Sequence, residues 1–384
     1  MPNDPDGTVR DARASLRGVR VLDLSRLLPG PYATRLLADL GASVDKLEPL
    51  GAGDAARHVP PFEDDGSSVL FRHLHHGKRS VALDLKRPEG VEVLRSLVAG
   101  YDIVVESFRP GVMARLGAGI ETLRALYPKL ILCSITGYGQ EGPRASRAGH
   151  DINYLARSGV LGLTGPAEEP PQLPGGQIAD IGGALHAVIA ILAALRSRDL
   201  YGEGAALDLS LTDAATSFAL FGLLTRLGGS RPARGEDALM GGLAPYRVYL
   251  SSDGHPVAIG ALEPKFWFEF CGAVGIEPDP AALRPGTHQK QWRERLSSLF
   301  AGRTRAQWEA FSVTHDCCLE VVSSPEEVLA EAHAEPSRGS LAKLLGTAAA
   351  TRAPELGADT DAILLEAGYD EDSIRDLRAR QIIA

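Results

Sequence analysis

Apolar and polar segments alternate along the first third of the chain, in the order expected of strands followed by helices. Five runs rich in branched apolar residues predict strands, at 19–25, 43–49, 80–85, 102–107 and 130–136. The segment between the first two runs starts with Pro31 and ends at Gly41, as helices often do, and a second helix is predicted from Pro88. Because the five runs are almost continuously apolar, they indicate a parallel sheet covered on both faces.

A different pattern follows residue 212. Residues 212–229 predict one long helix, and a glycine-rich linker follows it. Two strand-like runs then flank Asp253-Gly254, a pair typical of a hairpin turn, and three amphipathic segments predict helices. We therefore expect an α/β fold: a large domain with a doubly wound, mostly parallel sheet, and a smaller α+β domain.

The same patterns divide the chain into five segments. We expect a flexible tail at 1–15, a large α/β domain at 16–212, a linker helix and loop at 213–243, a small α+β domain at 244–335, and a linker with a C-terminal return to the large domain at 336–384. The longest apolar run, 181–195, predicts a buried helix because its 15 residues are too few to span a bilayer.

Composition mainly excludes certain classes of partner and cellular location. The net charge of −9 over 384 residues disfavours nucleic acid as a partner, because phosphate neutralisation needs a basic face. The four cysteines match no zinc or disulfide spacing and predict free thiols in a reducing compartment. Since the first 18 residues also lack the apolar core of a secretory signal, we expect a cytoplasmic protein with no membrane span.

Four basic residues lie where an anionic ligand would be expected. Lys78 and Arg79 precede the third predicted strand, and Arg109 and Arg115 flank a Pro-Gly turn beyond the fourth. Ligands of open α/β sheets bind beyond the carboxyl ends of the strands, and arginine suits phosphate. On sequence alone, solvated basic turns explain both pairs equally well. The histidines at 73, 75 and 76 do not share a helical face, so we expect no metal site.

Three residues are candidates for proton transfer. His150 stands at the start of an amphipathic helix, where a capping or core role is the simpler interpretation. Asp180 precedes the apolar run, either as its N-cap or as a carboxylate beside free backbone N–H groups that hold a developing oxyanion. Glu263 either simply precedes a helix starting at Pro264 or orients a histidine.

Several stretches in the right order resemble the class III CoA-transferase family (CaiB/BaiF-like), and particularly its α-methylacyl-CoA racemase branch. They include "LLPGPYATRLLADLGASVDKLEP", "GKRSVALDLKRPEG", "AGHDINYLARSGVL" and "GALEPKFW", and the resemblance extends from about residue 16 to residue 333. It implies an acyl-CoA thioester as substrate, with coenzyme A as part of the substrate and no separate cofactor. It also implies an interlocked homodimer whose active site joins the large domain of one subunit to the small domain of the other.

Two chemistries occur within that family. Its transferases commonly have Tyr-Asp where this chain has His150-Asp151, and they use an aspartate matching Asp180 as a covalent nucleophile. Similarity to the racemase branch implies instead that His150 and Asp180 are the two bases of a 1,1-proton transfer through an enolate. Glu263 would then orient His150, and Lys78, Arg79, Arg109 and Arg115 would contact the CoA phosphates. A CoA-ester-binding protein without turnover is the third alternative.

Overall fold

The computed structural model describes residues 15–334 and 352–384 and divides them into two compact units. The first unit comprises 15–155, 176–215 and 352–384, and the second comprises 156–175 and 216–334. The predicted large domain ran unbroken from 16 to 212, whereas the structure groups 156–175 with the second unit. The predicted tail at 1–15 lies outside the described residues except for its last position, and so do residues 336–351 of the predicted linker and C-terminal return.

The first unit contains a six-stranded parallel sheet with the spatial order β3-β2-β1-β4-β5-β6. Its strands are β1 Arg20–Asp23, β2 Ser43–Glu48, β3 Arg79–Ala82, β4 Ile103–Glu106, β5 Ile131–Thr136 and β6 Ala206–Ser210. The five predicted strands are confirmed. β6 was missed because it is an edge strand with alternating exposure, and it lacks the continuous apolar run of its buried neighbours.

The strand order places the binding crevice of the sheet. Chain order reverses between β1 and β4, which pair directly, so the connections leaving these two strands diverge. Parallel sheets bind ligands at such a switch point, beyond the carboxyl ends of the strands. The segments after Asp23 and Glu106 therefore form the expected walls of a site.

Helices follow most of the strands of the first unit. They are α1 Pro29–Asp39, α2 Val69–His75, α3 Pro88–Val98, α4 Val112–Arg115, α5 Ile120–Leu126, α6 Asp151–Ser158 and α7 Ile178–Tyr201. The predicted run at 181–195 is thus part of a 24-residue helix that passes a length and composition test for a membrane span. Because 44% of its apolar window is buried and it packs on α1, β5 and β6, a core helix accounts for the same signal.

The predicted long helix at 212–229 is wrong, because the chain forms two helices there, α8 Leu211–Phe218 and α9 Leu220–Leu227. The N–H of Ala219 donates to the carbonyl of Thr216 at 3.0 Å, and this tighter turn interrupts the regular helical repeat. The apolar pattern continues across the break, so sequence periodicity alone did not reveal it.

The second unit contains a three-stranded antiparallel sheet, β7 Tyr246–Leu250, β8 Pro256–Gly260 and β9 Leu319–Val321. The hairpin predicted at Asp253-Gly254 joins the first two strands, and Gly254 has the positive φ of 80° that its turn requires. The helices are α10 Pro264–Val274, α11 Gln289–Phe300, α12 Arg305–Thr314 and α13 Pro325–Ala334. Trp267, Phe270, Phe300 and Trp308 fill the core of this unit.

The C-terminal segment packs into the core of the first unit through α14 Thr360–Glu366 and α15 Glu371–Ala379. Leu364 and Ile383 lie among the buried residues that surround the sheet, and Ile383 forms a β-bridge with Leu83. The backbone N–H of Ser80 donates to the carboxylate of Asp359 at 2.8 Å. The fold of the sheet therefore depends on residues close to the end of the chain.

Two neighbouring leucines of α14 test this dependence. Leu364 is fully buried, whereas Leu365 is 49% exposed. We expect Leu364→Ala to lower the free energy of unfolding by about 2–5 kcal/mol, because it leaves a cavity in a packed core. Leu365→Ala, the matched control, is expected to cost less than about 1 kcal/mol. Urea titrations of the two variants measure the difference, and equal losses would contradict this packing.

Candidate active site

Two adjoining cavities lie at the carboxyl ends of the strands in the first unit. The first has a volume of about 460 Å³, and its lining is mainly apolar side chains that follow β1 to β4; we call it the apolar cavity. The second has a volume of about 530 Å³, and its lining includes His150 and Asp180; we call it the histidine cavity. Arg26, Phe108 and Arg109 line both cavities.

The backbone around His150 is fixed by local contacts. The N–H of His150 donates to Oδ1 of Asn153 at 3.0 Å, and its carbonyl accepts the N–H of Asn153 at 2.8 Å, so His150 takes the position before the first turn of α6. These bonds satisfy the helix start without the imidazole. The side chain is exposed toward the cavity and is available to a ligand.

Tyr154 ties this turn to the end of β5. Its hydroxyl donates to the carbonyl of Gly149 at 2.7 Å. A Cβ atom at Gly137 or Gly149 would lie 2.3 Å or 2.7 Å from the Tyr154 ring, so only glycine fits at either position. The segment after β5 and the segment before His150 are therefore held against the same aromatic side chain.

Asp151, the next residue, caps α7 from outside that helix. Its Oδ1 accepts the N–H of Ala179 at 2.7 Å and the N–H of Asp180 at 3.0 Å. The interpretation of Asp180 as the N-cap is therefore wrong, because α7 starts at Ile178 and the capping carboxylate comes from α6. The oxyanion donors expected at the start of α7 are not available either, because the N–H groups of Ala179 and Asp180 already donate to Asp151.

Burial and the close approach of Asp151 both change the acidity of Asp180. Burial raises the pKa of Asp180, the Asp151 carboxylate raises it further, and the nearby His150 opposes both, leaving the pKa at about 6. A carboxyl group with this pKa holds a proton over part of the neutral range. Such a group is suited to general acid and base catalysis in turn.

Gly183 allows close packing between α7 and α8. A Cβ atom at Gly183 would lie 2.2 Å from Cδ2 of Leu211 at the start of α8. The absence of a side chain at Gly183 therefore lets Leu211 approach α7 closely.

Glu263 belongs to the second unit. It is the residue immediately before α10, and it is exposed. Its backbone carbonyl accepts the N–H groups of Phe266 and Trp267 at 3.1 Å, so it marks the start of the helix. Its carboxylate is not used to cap that helix. The expected pairing of Glu263 with His150 stays a prediction.

The structure does not support Lys78 as a phosphate ligand. Its ammonium group is buried and donates to Oδ2 of Asp23 at 3.1 Å, to the Pro31 carbonyl at 3.0 Å and to Oγ1 of Thr34 at 2.8 Å. These three bonds use all three of its N–H donors. Sequence position did not reveal this role, because a lysine before a strand can point into the protein as well as out.

Arg79 is also held within the protein. It donates to both carboxylate oxygens of Asp45, at 2.7 and 2.8 Å, and to Glu366 at 2.6 Å. It starts β3, at the amino end of the strands, whereas the crevice is at the carboxyl ends. Arg115 is exposed in the last turn of α4, and neither cavity lining as described includes it.

Arg109 is the one predicted basic residue that lines the cavities, and the structure adds others that were missed. Arg26, which follows β1, lies over the ring of Phe108 at 5.0 Å. Lys86 lines the apolar cavity and Arg147 the histidine cavity. Arg26 follows its strand as Arg109 follows β4, so applying the strand-end rule to β1 identifies it from sequence.

Comparisons with known proteins agree with this architecture. A model of CoA-transferase family III matches residues 16–362. The alpha-methylacyl-CoA racemase of Mus musculus is 35% identical over 387 residues, 96% of this chain and 97% of that protein. The succinyl-CoA:glutarate CoA-transferase of Mus musculus is 36% identical over 305 residues, 78% of this chain and 70% of that protein. A solved CAIB/BAIF family protein from Brucella suis has a TM-score of 0.75 at 31% identity, covering 92% of this chain and all 100% of that one.

The acidity of Asp180 predicts how stability changes with pH. Because folding raises its pKa from an ordinary 3.8 to about 6, its contribution is fully present below pH 3.8 and is lost as pH rises through 6. We expect Asp180→Asn to escape this loss and to exceed the wild type by up to about 3 kcal/mol above pH 6.

Urea unfolding at pH 4, 5, 6 and 7 measures the effect. The advantage of Asp180→Asn over the wild type should grow across this range. Asp199→Asn, an exposed change on the same helix, is the control, and its difference from the wild type should stay nearly constant. A constant difference for Asp180→Asn as well would contradict the raised pKa.

Proposed function

We propose that this chain, which belongs to CoA-transferase family III, is a racemase of 2-methylacyl-CoA thioesters. The observation that carries the proposal is that His150 and Asp180 line one cavity, with the pKa of Asp180 raised to about 6. An imidazole and a partly protonated carboxyl group are the two groups that inversion of an acidic carbon requires. The relation to alpha-methylacyl-CoA racemases supports the same assignment.

The reaction is a 1,1-proton transfer. The proton on the carbon next to the thioester is weakly acidic, so its removal needs a base in contact and a stabilised enolate oxygen. His150 takes the proton from one face, and the electron pair of the broken C–H bond moves into the enolate. Protonated Asp180 then delivers a proton to the other face. In the reverse direction, Asp180 is the base and His150 is the acid.

The raised pKa of Asp180 keeps both directions available. With a pKa of about 6, roughly a tenth of the Asp180 side chains carry a proton at pH 7, whereas an ordinary aspartate would be almost fully ionised. Burial maintains this state, and the Asp151 carboxylate beside Asp180 adds to its effect. In this proposal Asp151 has no direct contact with the substrate and acts through its neighbour.

The two cavities suit an elongated anionic thioester. Arg26 and Arg109 line both cavities and so stand between an apolar compartment and the reacting groups. We assign the phosphates of coenzyme A to these two side chains, the nucleotide end to the apolar cavity and the acyl end to the histidine cavity. This assignment replaces Lys78 and Arg79, whose donors are used within the protein, and it includes no separate cofactor.

The self-association and the role of Glu263 belong to the same proposal. Large apolar side chains of α8 and α9 are exposed, among them Phe218, Leu220, Phe221 and Leu227. Burial of such side chains favours a homodimer over a free chain in water. We propose that Glu263 reaches His150 from the partner subunit and fixes its tautomer, and that the dimer is cytoplasmic.

A CoA-transferase is the second candidate function. Asp180 in the cavity is suited to attack a thioester carbonyl, forming an acyl anhydride and releasing the CoA thiolate. The similarity to succinyl-CoA:glutarate CoA-transferases favours this second function. The two reactions differ in what they need, since racemisation requires no second acid and transfer requires a free carboxylic acid as acceptor.

Isotope exchange separates the two functions. The protein is incubated in heavy water with a single epimer of a 2-methylacyl-CoA and no acceptor acid. We expect loss of configuration together with uptake of deuterium at the α-carbon. An absence of exchange, with CoA transfer to an added carboxylic acid and hydroxylamine inactivation at Asp180, would show that the protein is a transferase.

Replacing His150 tests its role as a base. We expect His150→Ala to lower exchange from one epimer by at least about 100-fold, because proton removal from that face loses its base. The Kd for the acyl-CoA should stay close to the wild-type value. His58→Ala, an exposed change outside both cavity linings as described, should leave exchange unchanged. Wild-type exchange by His150→Ala would rule out this base.

The phosphate assignment makes a separate prediction. Arg26→Ala and Arg109→Ala should each weaken acyl-CoA binding about 10- to 100-fold, because each removes a hydrogen bond to a charged group. The loss should shrink at high salt, which screens exposed charges. Calorimetric titration measures the Kd, with Arg375→Ala on the exposed face of α15 as control. Binding at wild-type strength in both variants would refute the assignment.

A further inference from the structure

Glu106, the last residue of β4, is a buried carboxylate without a cationic partner in the described ranges 15–334 and 352–384. It is 3% exposed. Five other acidic residues of these ranges are equally buried, and each of them forms an ion pair: Asp23, Asp45, Glu48, Asp54 and Asp237. Burying a carboxylate that no cation compensates costs free energy. The presence of Glu106 at the end of a central strand therefore calls for a function.

The carboxylate of Glu106 holds a turn of the backbone. Its Oε2 accepts the N–H of Phe108 at 2.7 Å, and the hydroxyl of Ser134 on the neighbouring strand β5 is hydrogen-bonded to the same carboxylate. Burial raises the pKa of Glu106, these two hydrogen bonds lower it, and nearby Asp208 raises it, which leaves the pKa above its usual value. The turn that follows β4 is thus anchored to the sheet through this side chain.

The anchored turn carries one of the two arginines assigned to the CoA phosphates and supports the other. Phe108 and Arg109 line both cavities. The Arg26 guanidinium lies over the Phe108 ring, 5.0 Å from its centre, and the backbone N–H of Arg26 donates to Oγ of Ser107 at 3.0 Å. Both arginines are exposed, so their positions depend mainly on the backbone that carries them.

We propose that Glu106 is a positioning residue for coenzyme A, because its carboxylate fixes the turn 107–109 and so holds Arg109 and Arg26 in place before the ligand binds. Preorganised groups bind more tightly, since less conformational freedom is lost on binding. The proposal rests on the proposed function for the assignment of these two arginines to the CoA phosphates. It applies equally to a racemase and to a transferase, because both bind a CoA thioester.

Calorimetric titration with free CoA tests this role. Glu106→Met removes the acceptor and keeps an unbranched side chain, and we expect it to raise the Kd about 10-fold. Glu106→Gln keeps an oxygen that accepts the Phe108 N–H and should bind CoA as the wild type does. A wild-type Kd in Glu106→Met, or an equal loss in Glu106→Gln, would overturn the proposal.

Ile103→Ala is the matched control. Ile103 is fully buried at the other end of β4, so the substitution removes packing without changing the hydrogen bonds of Glu106. We expect it to lower Tm and to leave the Kd for CoA unchanged. A purely structural role for Glu106 predicts this same result for Glu106→Met.

A double variant tests whether Glu106 acts through Arg109. In an Arg109→Ala background, Glu106→Met should weaken CoA binding by a smaller factor than in the wild type, because the group that it positions is gone. In the Glu106→Met variant alone, KM for the acyl-CoA should rise while kcat for α-proton exchange stays unchanged. Two losses that multiply fully, or a loss confined to kcat, would contradict the positioning role.

Hydrogen exchange of the Phe108 amide needs no variant. We expect this amide to exchange slowly in the wild type both with and without CoA, because Glu106 accepts its N–H before the ligand binds. Exchange at the rate of an unstructured amide in the absence of CoA would refute the preorganised turn.

Failure of this inference can be told apart from failure of the proposed function. The expected Kd pattern, with no deuterium exchange by the wild type, supports Glu106 and refutes the racemase. Deuterium exchange by the wild type, with the same Kd for CoA in the wild type and Glu106→Met, refutes the role of Glu106 and leaves the racemase intact.

Discussion

The carboxylate of Asp151 is the constraint on which the site depends. By accepting hydrogen bonds from the N–H groups of Ala179 and Asp180, it connects the start of α6 to the start of α7. Asp151 and Ala179 are 28 positions apart along the chain. His150 and Asp180 are therefore brought to one cavity by a cap that neither of them provides. The same carboxylate raises the pKa of Asp180 and uses the donors that a helix start would otherwise offer a ligand. One side chain thus fixes the positions of both residues and adds to the effect of burial on the acidity of Asp180.

Beneath the crevice, a buried set of charges holds the loop that carries Arg26. Lys46 donates to the carbonyl of Ser25, and Oδ1 of Asp54 accepts the N–H of Leu27 at 3.3 Å. Burial would raise the pKa of Asp23, but the ammonium groups of Lys46 and Lys78 lower it to about 2. Buried charges of this kind add little to stability compared with apolar packing, and their value lies in fixing one geometry. Here they hold the loop in which Leu27 has a positive φ of 61° and lines the histidine cavity.

Much of the fold was predictable because burial leaves a simple sequence pattern. The central strands are continuously apolar, and the hairpin turn at Asp253-Gly254 has a local backbone requirement. β6 and the break at Ala219 were not predictable in the same way, since an edge strand and a tight turn leave the apolar pattern almost unchanged. Sequence patterns report which residues are buried more reliably than how the backbone bends between them.

The residues of the site were likewise only partly predictable from the sequence. Motif resemblance identified His150 and Asp180, and the structure places both in one cavity. Lys78 and Arg79 were misjudged because charge and position do not tell whether a basic side chain points to solvent or to a buried carboxylate. Only the three-dimensional arrangement shows which polar atoms have been left free.

The first unit is formed from three separate segments of the chain, and this has a consequence for its biosynthesis. Its sheet is formed from early residues, yet Ile363, Leu364 and Ile383 complete the same core. Synthesis proceeds from the N-terminus, so most of the sheet emerges from the ribosome long before its last packing partners. The nascent chain must expose part of this apolar surface until residues 363–383 have been synthesised. A chain terminated before residue 363 would therefore have an open core and be a target for chaperones and proteases.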